Sequence, residues 1–255
     1  MIEFETFIYL DVYRTGSTHI ISLLPQITDE KLVLAHRHAA LTKSRWHGRT
    51  DGKLVFASVR NPWDWYVSLW AYGADGKSAI RRYLKAHMSA DAVDSLYDKT
   101  KPEISFRKWL RLMHDPLVLN KVMEEHMPES GLGPVLGIYT YRFLRVTTRY
   151  PKLLLRHPFI RSIDGALRHH RWMKSYSNAL RNEHLSEDFV GLIAANRDRC
   201  GFHGNAADVI RHHDRRPKNA SGRTLSTYRD YYDPETRDLV ASRDRFFIDE
   251  FGYVF

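Results

Sequence analysis

Six consecutive residues, Tyr13-Arg14-Thr15-Gly16-Ser17-Thr18, place a guanidinium, three small hydroxyls and a glycine between an apolar, β-rich run (Phe4–Val12) and helically spaced Ile20, Ile21, Leu23 and Leu24. A strand-to-helix turn of this kind aims backbone N–H groups and the positive end of a helix dipole at one point, and Gly16 lets the backbone approach what binds there. Such a pocket suits a tetrahedral anion. The segment lacks the Gly-x4-Gly-Lys-Ser/Thr spacing of nucleoside-triphosphate loops, which speaks against an ATPase or kinase. Two histidines, His36 and His38, follow a second apolar run, and imidazole is the side chain suited to take a proton near neutrality. Two apart in an extended chain, they would share a face and form half a metal site. No cysteine or carboxylate ligand stands beside them in sequence, so no metal is expected.

These groups need a scaffold that brings strand ends together. Lys31–Ala35 (KLVLA) and Leu54–Val59 (LVFASV) read as short, nearly continuous apolar strands, as in a parallel sheet covered on both faces, and end at His36 and Arg60. Asn61-Pro62 supplies an N-cap and first-turn proline for a helix over Trp63–Tyr72. The stretch Ser78–Gly137 reads as helical, with Ile104–Met113 its clearest amphipathic piece. Asn178–Arg181 is expected as a strand, followed by a helix opened by Ser186 and stopped by Gly201. Asp233-Pro234 caps a last helix running toward Phe247, before an apolar tail, Phe251–Phe255. Strands alternating with helices predict an α/β fold, a three-layer doubly wound parallel sheet flanked by helices, with ligands at the carboxyl ends of the strands. One domain over residues 1–255 is expected, with residues 80–180 a helical insertion that binds a second substrate beside the anion.

The 255 residues are 43% hydrophobic, enough for a sizeable core, and 39 Lys and Arg against 30 Asp and Glu give a formal charge of +9 that attracts anions. Much of the excess lies in Arg142–Arg171 and His212–Arg216, either a solvated face or a polyanion-binding one. The single cysteine, Cys200, excludes an internal disulfide framework and reads as a small core residue. No window holds eighteen uninterrupted apolar residues and the first twelve are acidic, so the expectation is a cytoplasmic protein without integral membrane association. No heptad seam sets an oligomeric state. The absence of helix-turn-helix, RNA-recognition or zinc-finger patterns gives no reason to expect a nucleic-acid partner.

Arg14-Thr15-Gly16-Ser17-Thr18 resembles the 5′-phosphosulfate loop of sulfotransferases that use 3′-phosphoadenosine-5′-phosphosulfate (PAPS). Phe56–Trp70 resembles the 3′-phosphate motif of that family, with Arg60 and Ser68 at its spacing. Leu180–Phe189 is similar to a third block, and Lys218-Asn219-Ala220-Ser221 with Tyr231–Tyr253 to the closing region of carbohydrate sulfotransferases. The four blocks stand in family order across residues 9–255, leaving about 80–180 unmatched.

The resemblance implies a P-loop-like sulfotransferase fold and transfer of a sulfuryl group to a hydroxyl acceptor, a saccharide, with 3′,5′-adenosine bisphosphate as product and no metal required. It implies that Arg14, Thr15, Gly16, Ser17, Thr18 and His19 surround the 5′-phosphosulfate, that Arg60 and Ser68 hold the 3′-phosphate, and that Lys218, Asn219, Ser221 and Arg223 close over the nucleotide. Arg14 stands where most of the family has lysine; a guanidinium stabilises a leaving oxygen but does not give up a proton. Arg37-His38-Ala39 resembles the family's Lys-His-Ala, which favours His38 over His36 as base, with Glu183 the other candidate. The competing readings are a kinase-like phosphotransferase and a non-catalytic polyanion binder.

Overall fold

A computed structural model of the chain describes residues 1–41, 52–122, 131–213 and 222–255. Lys218, Asn219 and Ser221 lie outside the described residues. The fold is α/β, with one five-stranded sheet and thirteen α-helices among the described residues. The chain divides into two compact units, each drawn from three segments: Met1–Arg60, Arg142–Pro151 and His170–Ala220 form the first, and Asn61–Tyr141, Lys152–His169 and Ser221–Phe255 the second.

The first unit holds the whole sheet. Its strands are β1 (Ile2–Glu3), β2 (Phe7–Leu10), β3 (Leu34–Ala35), β4 (Leu54–Val59) and β5 (Asn178–Arg181), in the spatial order β3-β1-β2-β4-β5. β2, β4 and β5 are parallel, and β1 runs antiparallel to both β2 and β3. Four strands therefore share a direction and the sheet is mixed, not wholly parallel as the sequence suggests. The cause is local: a tight turn after Glu3, closed by Phe4 N–H donating to the Phe7 carbonyl at 2.9 Å, doubles the chain back at the head of the Phe4–Val12 run, so the two residues ahead of that run form a strand of their own. Lys31–Ala35 also shortens, since only Leu34 and Ala35 lie in register with the two-residue β1, which Val33 reaches by one bond to the Glu3 carbonyl, and Leu32 is left half-exposed at the edge.

Along β2 and β4 both faces are buried, which is why these runs carry almost no polar residues. On one face Phe7, Tyr9, Leu54, Phe56 and Leu180 pack with Ile20, Leu23 and Leu24 of helix α1 (Ser17–Ile27), and with Phe189, Ile193, Phe202 and Ile210. The helix after β5 spans Leu185–Asn196, so Ser186 lies inside it; it ends five residues before Gly201, whose left-handed φ of 47° belongs to the turn that follows. Cys200 is fully buried in this core, its sulfur 3.9 Å from the Thr6 carbonyl, and burial pushes its thiol pKa up. The successors of β2 in sequence, β3 and β4, lie on opposite sides of it, so the loop after β2 opens at the point where strand order reverses.

The second unit is helical. Helix α2 (Pro62–Ala74) starts where Asn61 Oδ1 accepts the N–H groups of Trp63 and Asp64. The last helix read from sequence is two, Pro234–Arg243 and Arg245–Phe251, broken at Asp244. Asp244 is fully buried: Oδ1 accepts the N–H and hydroxyl of Thr140 at 2.8 and 2.7 Å, and Oδ2 lies 2.7 Å from the Tyr66 hydroxyl. His114 reaches the same hydroxyl through Nε2 at 3.2 Å while Nδ1 meets the Leu110 carbonyl at 2.9 Å. No described helix is long and apolar enough to cross a membrane.

Candidate active site

Within the first unit the polar groups gather where β2 and the chain after β3 end. Asp11, the first residue past β2, is fully buried; its Oδ2 pairs with Arg37 and lies 3.4 Å from His38 Nδ1. Nδ1 also meets the Asp11 backbone carbonyl at 3.0 Å. A carbonyl only accepts, so Nδ1 carries the proton and Nε2 keeps its lone pair, the tautomer a base requires. Burial lowers the His38 pKa, against the opposing pull of the Asp11 carboxylate, so the ring is held neutral. The His38 ring stacks on Tyr13 with centroids 3.7 Å apart, which fixes its plane.

Arg14 and His38 have φ of 60° and 56° and are the only non-glycine residues with positive φ among the described residues. The left-handed region costs a side-chain-bearing residue about 1–2 kcal/mol, and such strain persists where surrounding contacts impose it, commonly at functional sites. The turn at His38 also breaks the extended run. His36, whose N–H donates to the Met1 carbonyl at 2.9 Å, is exposed after β3 and does not share a strand face with His38.

Gly16 caps α1 with φ 85°, and its carbonyl accepts the N–H groups of His19 and Ile20. A Cβ there would come within 2.6 Å of Leu185 Cδ2 and 2.9 Å of Asn182 Oδ1, so the turn tolerates only glycine and sits against the segment after β5. Ser17 is buried at the first helical position; Thr18 and His19 are half-buried. Thr15 is turned inward. Its hydroxyl donates to the Val12 carbonyl at 3.0 Å, Ser58 must then donate to Thr15 at 2.6 Å, and Tyr9 to Ser58 at 2.7 Å. With its proton so committed, Thr15 has its backbone N–H, not its hydroxyl, to offer an anion.

This buried chain of hydroxyls ties the loop to β4. Ser58→Ala should destabilise the protein by about 1–3 kcal/mol, since two buried hydroxyls lose a partner. Urea unfolding measures it, and a loss below about 0.5 kcal/mol, the size of an ordinary surface change, would mean the chain of bonds does not hold the loop.

Arg60, one residue past β4, donates from Nη1 to the Arg14 carbonyl at 3.2 Å, so the two guanidinium-bearing residues belong to one hydrogen-bonded cluster. Glu183 is exposed in a short 3-10 turn after β5. Ser68 lies in the second unit, buried on α2. Arg223, also in the second unit, is ion-paired with Asp64 at 2.6 Å.

From the sequence alone Asp11 and Ser58 carried no site role, Tyr13 stood only as the first residue of the loop, and Arg142 and Arg145 lay within a basic run. The Arg142 guanidinium lies 4.6 Å from the Tyr13 ring centre, and Arg145 Nη2 donates to the Tyr13 hydroxyl at 2.8 Å. One signal was available: Asp11 is the lone acid closing an apolar strand, and a buried carboxylate needs cationic partners. Comparisons with models of protein families, with curated proteins and with solved structures found no match.

Proposed function

We propose that the chain is a PAPS-dependent sulfotransferase with a P-loop-like sulfotransferase fold, acting on a hydroxyl of a carbohydrate acceptor. The reading rests above all on two residues with positive φ, Arg14 in the anion loop and His38, the oriented base, whose ring stacks on Tyr13, the chain neighbour of Arg14. Around them stand the guanidinium groups of Arg37, Arg60, Arg142 and Arg145, a donor set that fits a bis-anionic nucleotide, with the buried carboxylate of Asp11 paired to Arg37.

PAPS would supply a sulfuryl group already joined to a phosphate leaving group. The backbone N–H groups from Thr15 to Thr18 cradle the 5′ end, Arg14 stabilises charge on the departing bridging oxygen, and Arg60 holds the 3′-phosphate. His38 Nε2 takes the proton of the acceptor hydroxyl as its oxygen bonds to sulfur; the bond from sulfur to the bridging oxygen breaks, its electron pair leaving with the nucleotide. Positioning and charge stabilisation carry the reaction, as in phosphoryl transfer.

Titration calorimetry with 3′,5′-adenosine bisphosphate tests the reading. Wild-type protein should bind, and Arg60→Ala should bind at least about tenfold more weakly, the loss expected for a charge-assisted pair. Folded protein that ignores the nucleotide, or an Arg60→Ala variant of equal affinity, would remove the basis of the proposal; magnesium-dependent ATP turnover would assign the site to phosphotransfer instead.

A further inference from the structure

The site leaves unused the stretch Lys152–His169, which lies entirely in the second unit. Lys152, Arg156, Arg161 and Arg168 are exposed along it, and its one acid, Asp164, is ion-paired with Arg245. The same stretch carries two outward apolar side chains, Leu153 at 57% and Phe159 at 87% exposure, next to Leu154 and Leu155, which are buried. The buried pair pins the short helix Pro151–Leu155, so Leu153 is held in water. Phe159 lies in the following turn, where its own N–H donates to His157 Nδ1 at 3.3 Å and Arg161 Nε donates to the Pro158 carbonyl at 3.1 Å.

We propose that Lys152–His169 is a peripheral docking surface for an anionic lipid bilayer. Charge complementarity calls for an anionic partner, and the apolar side chains decide which. A polyphosphate or polysulfate chain uses the four cations but gains nothing from Leu153, which has no ring to stack; an anionic leaflet takes the cations at its headgroups and Leu153 and Phe159 at the acyl boundary. Each basic residue held near such a surface strengthens partition about fivefold, an effect that salt screens. This surface does not depend on the sulfotransferase reading, and its test uses no nucleotide.

The full chain is sedimented with phosphatidylcholine vesicles and with the same vesicles containing phosphatidylserine. Binding to the anionic vesicles should be at least about tenfold stronger and fall in high salt. The double variant Leu153→Ser, Phe159→Ser should lose about tenfold in vesicle binding with unchanged elution from heparin, whereas Arg156→Gln, Arg161→Gln, Arg168→Gln together should weaken both. A Phe159→Trp variant, read with bromine-labelled acyl chains, should be quenched on anionic vesicles. Equal binding to neutral and anionic vesicles overturns the proposal, as does vesicle binding indifferent to the serine pair or an unquenched Phe159→Trp; heparin binding without vesicle binding identifies the occupant as a soluble polyanion.

Discussion

Replacing His38 with alanine is expected to lower turnover about a thousandfold while nucleotide affinity stays within about twofold, because a positioned general base accelerates proton transfer by about 10²–10⁴ and the proposed reaction has this residue serve the acceptor, not the donor. The sign of the pH dependence follows from its surroundings. Burial, the largest influence, lowers the His38 pKa and the Asp11 carboxylate opposes it, so the neutral, competent form persists below the ordinary histidine value near 6.5. Turnover should hold level through that pH and fall only at more acid values, a limb that His38→Ala removes. Steady-state kinetics against pH, with calorimetry on the same samples, gives both readouts. Full turnover in His38→Ala with loss in Glu183→Gln would move the base to the segment after β5.

The second large effect is on stability, at the break between the last two helices. The Tyr66 hydroxyl donates to Asp244 Oδ2 when that carboxyl is ionised; because His114 donates Nδ1–H to Leu110, a protonated Asp244 can instead donate to Tyr66 while Tyr66 donates to His114 Nε2. Burial raises the Asp244 pKa to about 6 and lowers that of His114 to about 4, and Tyr66 is pushed well above its ordinary value. Arg243 pulls the Asp244 pKa the other way, as do the bonds from Tyr66 and Thr140.

An acid whose pKa rises on folding contributes stability that is complete below its unfolded value near 3.8 and is lost as pH climbs through about 6. Two pKa units correspond to about 3 kcal/mol. Asp244→Asn keeps the neutral hydrogen-bond pattern, with its amide N–H donating to Tyr66, and should match wild type near pH 4 and exceed it by about 2 kcal/mol at pH 8. Asp244→Ala, which strands the two Thr140 donors, takes a partner from Tyr66 and opens a cavity, should cost about 3–4 kcal/mol at acid pH. Urea unfolding across pH checks all three proteins; an Asp244→Asn curve parallel to wild type from pH 4 to 8 would show that the carboxyl does not titrate in this range.

How much of this was legible depended on whether a residue's partner lies nearby in sequence. Leu54–Val59 and Asn178–Arg181 are strands at the residues read from sequence, and Asn61-Pro62 and Asp233-Pro234 open helices as their capping chemistry dictates. The turn at Gly16 was legible because its strand, glycine and helix are consecutive. The antiparallel β1 was not, since it is only Ile2 and Glu3, too short to carry a pattern, and the reversal that follows it is marked only by the Phe4–Phe7 bond. The helix break at Asp244 was hidden for a related reason: its partners, Tyr66, Thr140 and His114, are 178, 104 and 130 positions away in the numbering, and nothing local calls for a buried acid. Arg142 and Arg145 read as part of a basic run; their contact with Tyr13 exists only once the chain has folded. The role of His38 rested on a family resemblance, while the peptide carbonyl that sets its tautomer belongs to Asp11, on another segment.

The lone thiol of the chain offers a stopwatch. Sealed in the core with its proton tightly held, Cys200 should give no colour with an aromatic disulfide reagent until the sheet parts around it. The labelling rate, divided by that of a denatured thiol, then measures the free energy of opening with no engineered reporter. A ligand seated on the Gly16 turn should slow the colour by the factor one plus its concentration over Kd, so one cuvette would weigh both the fold and its occupant.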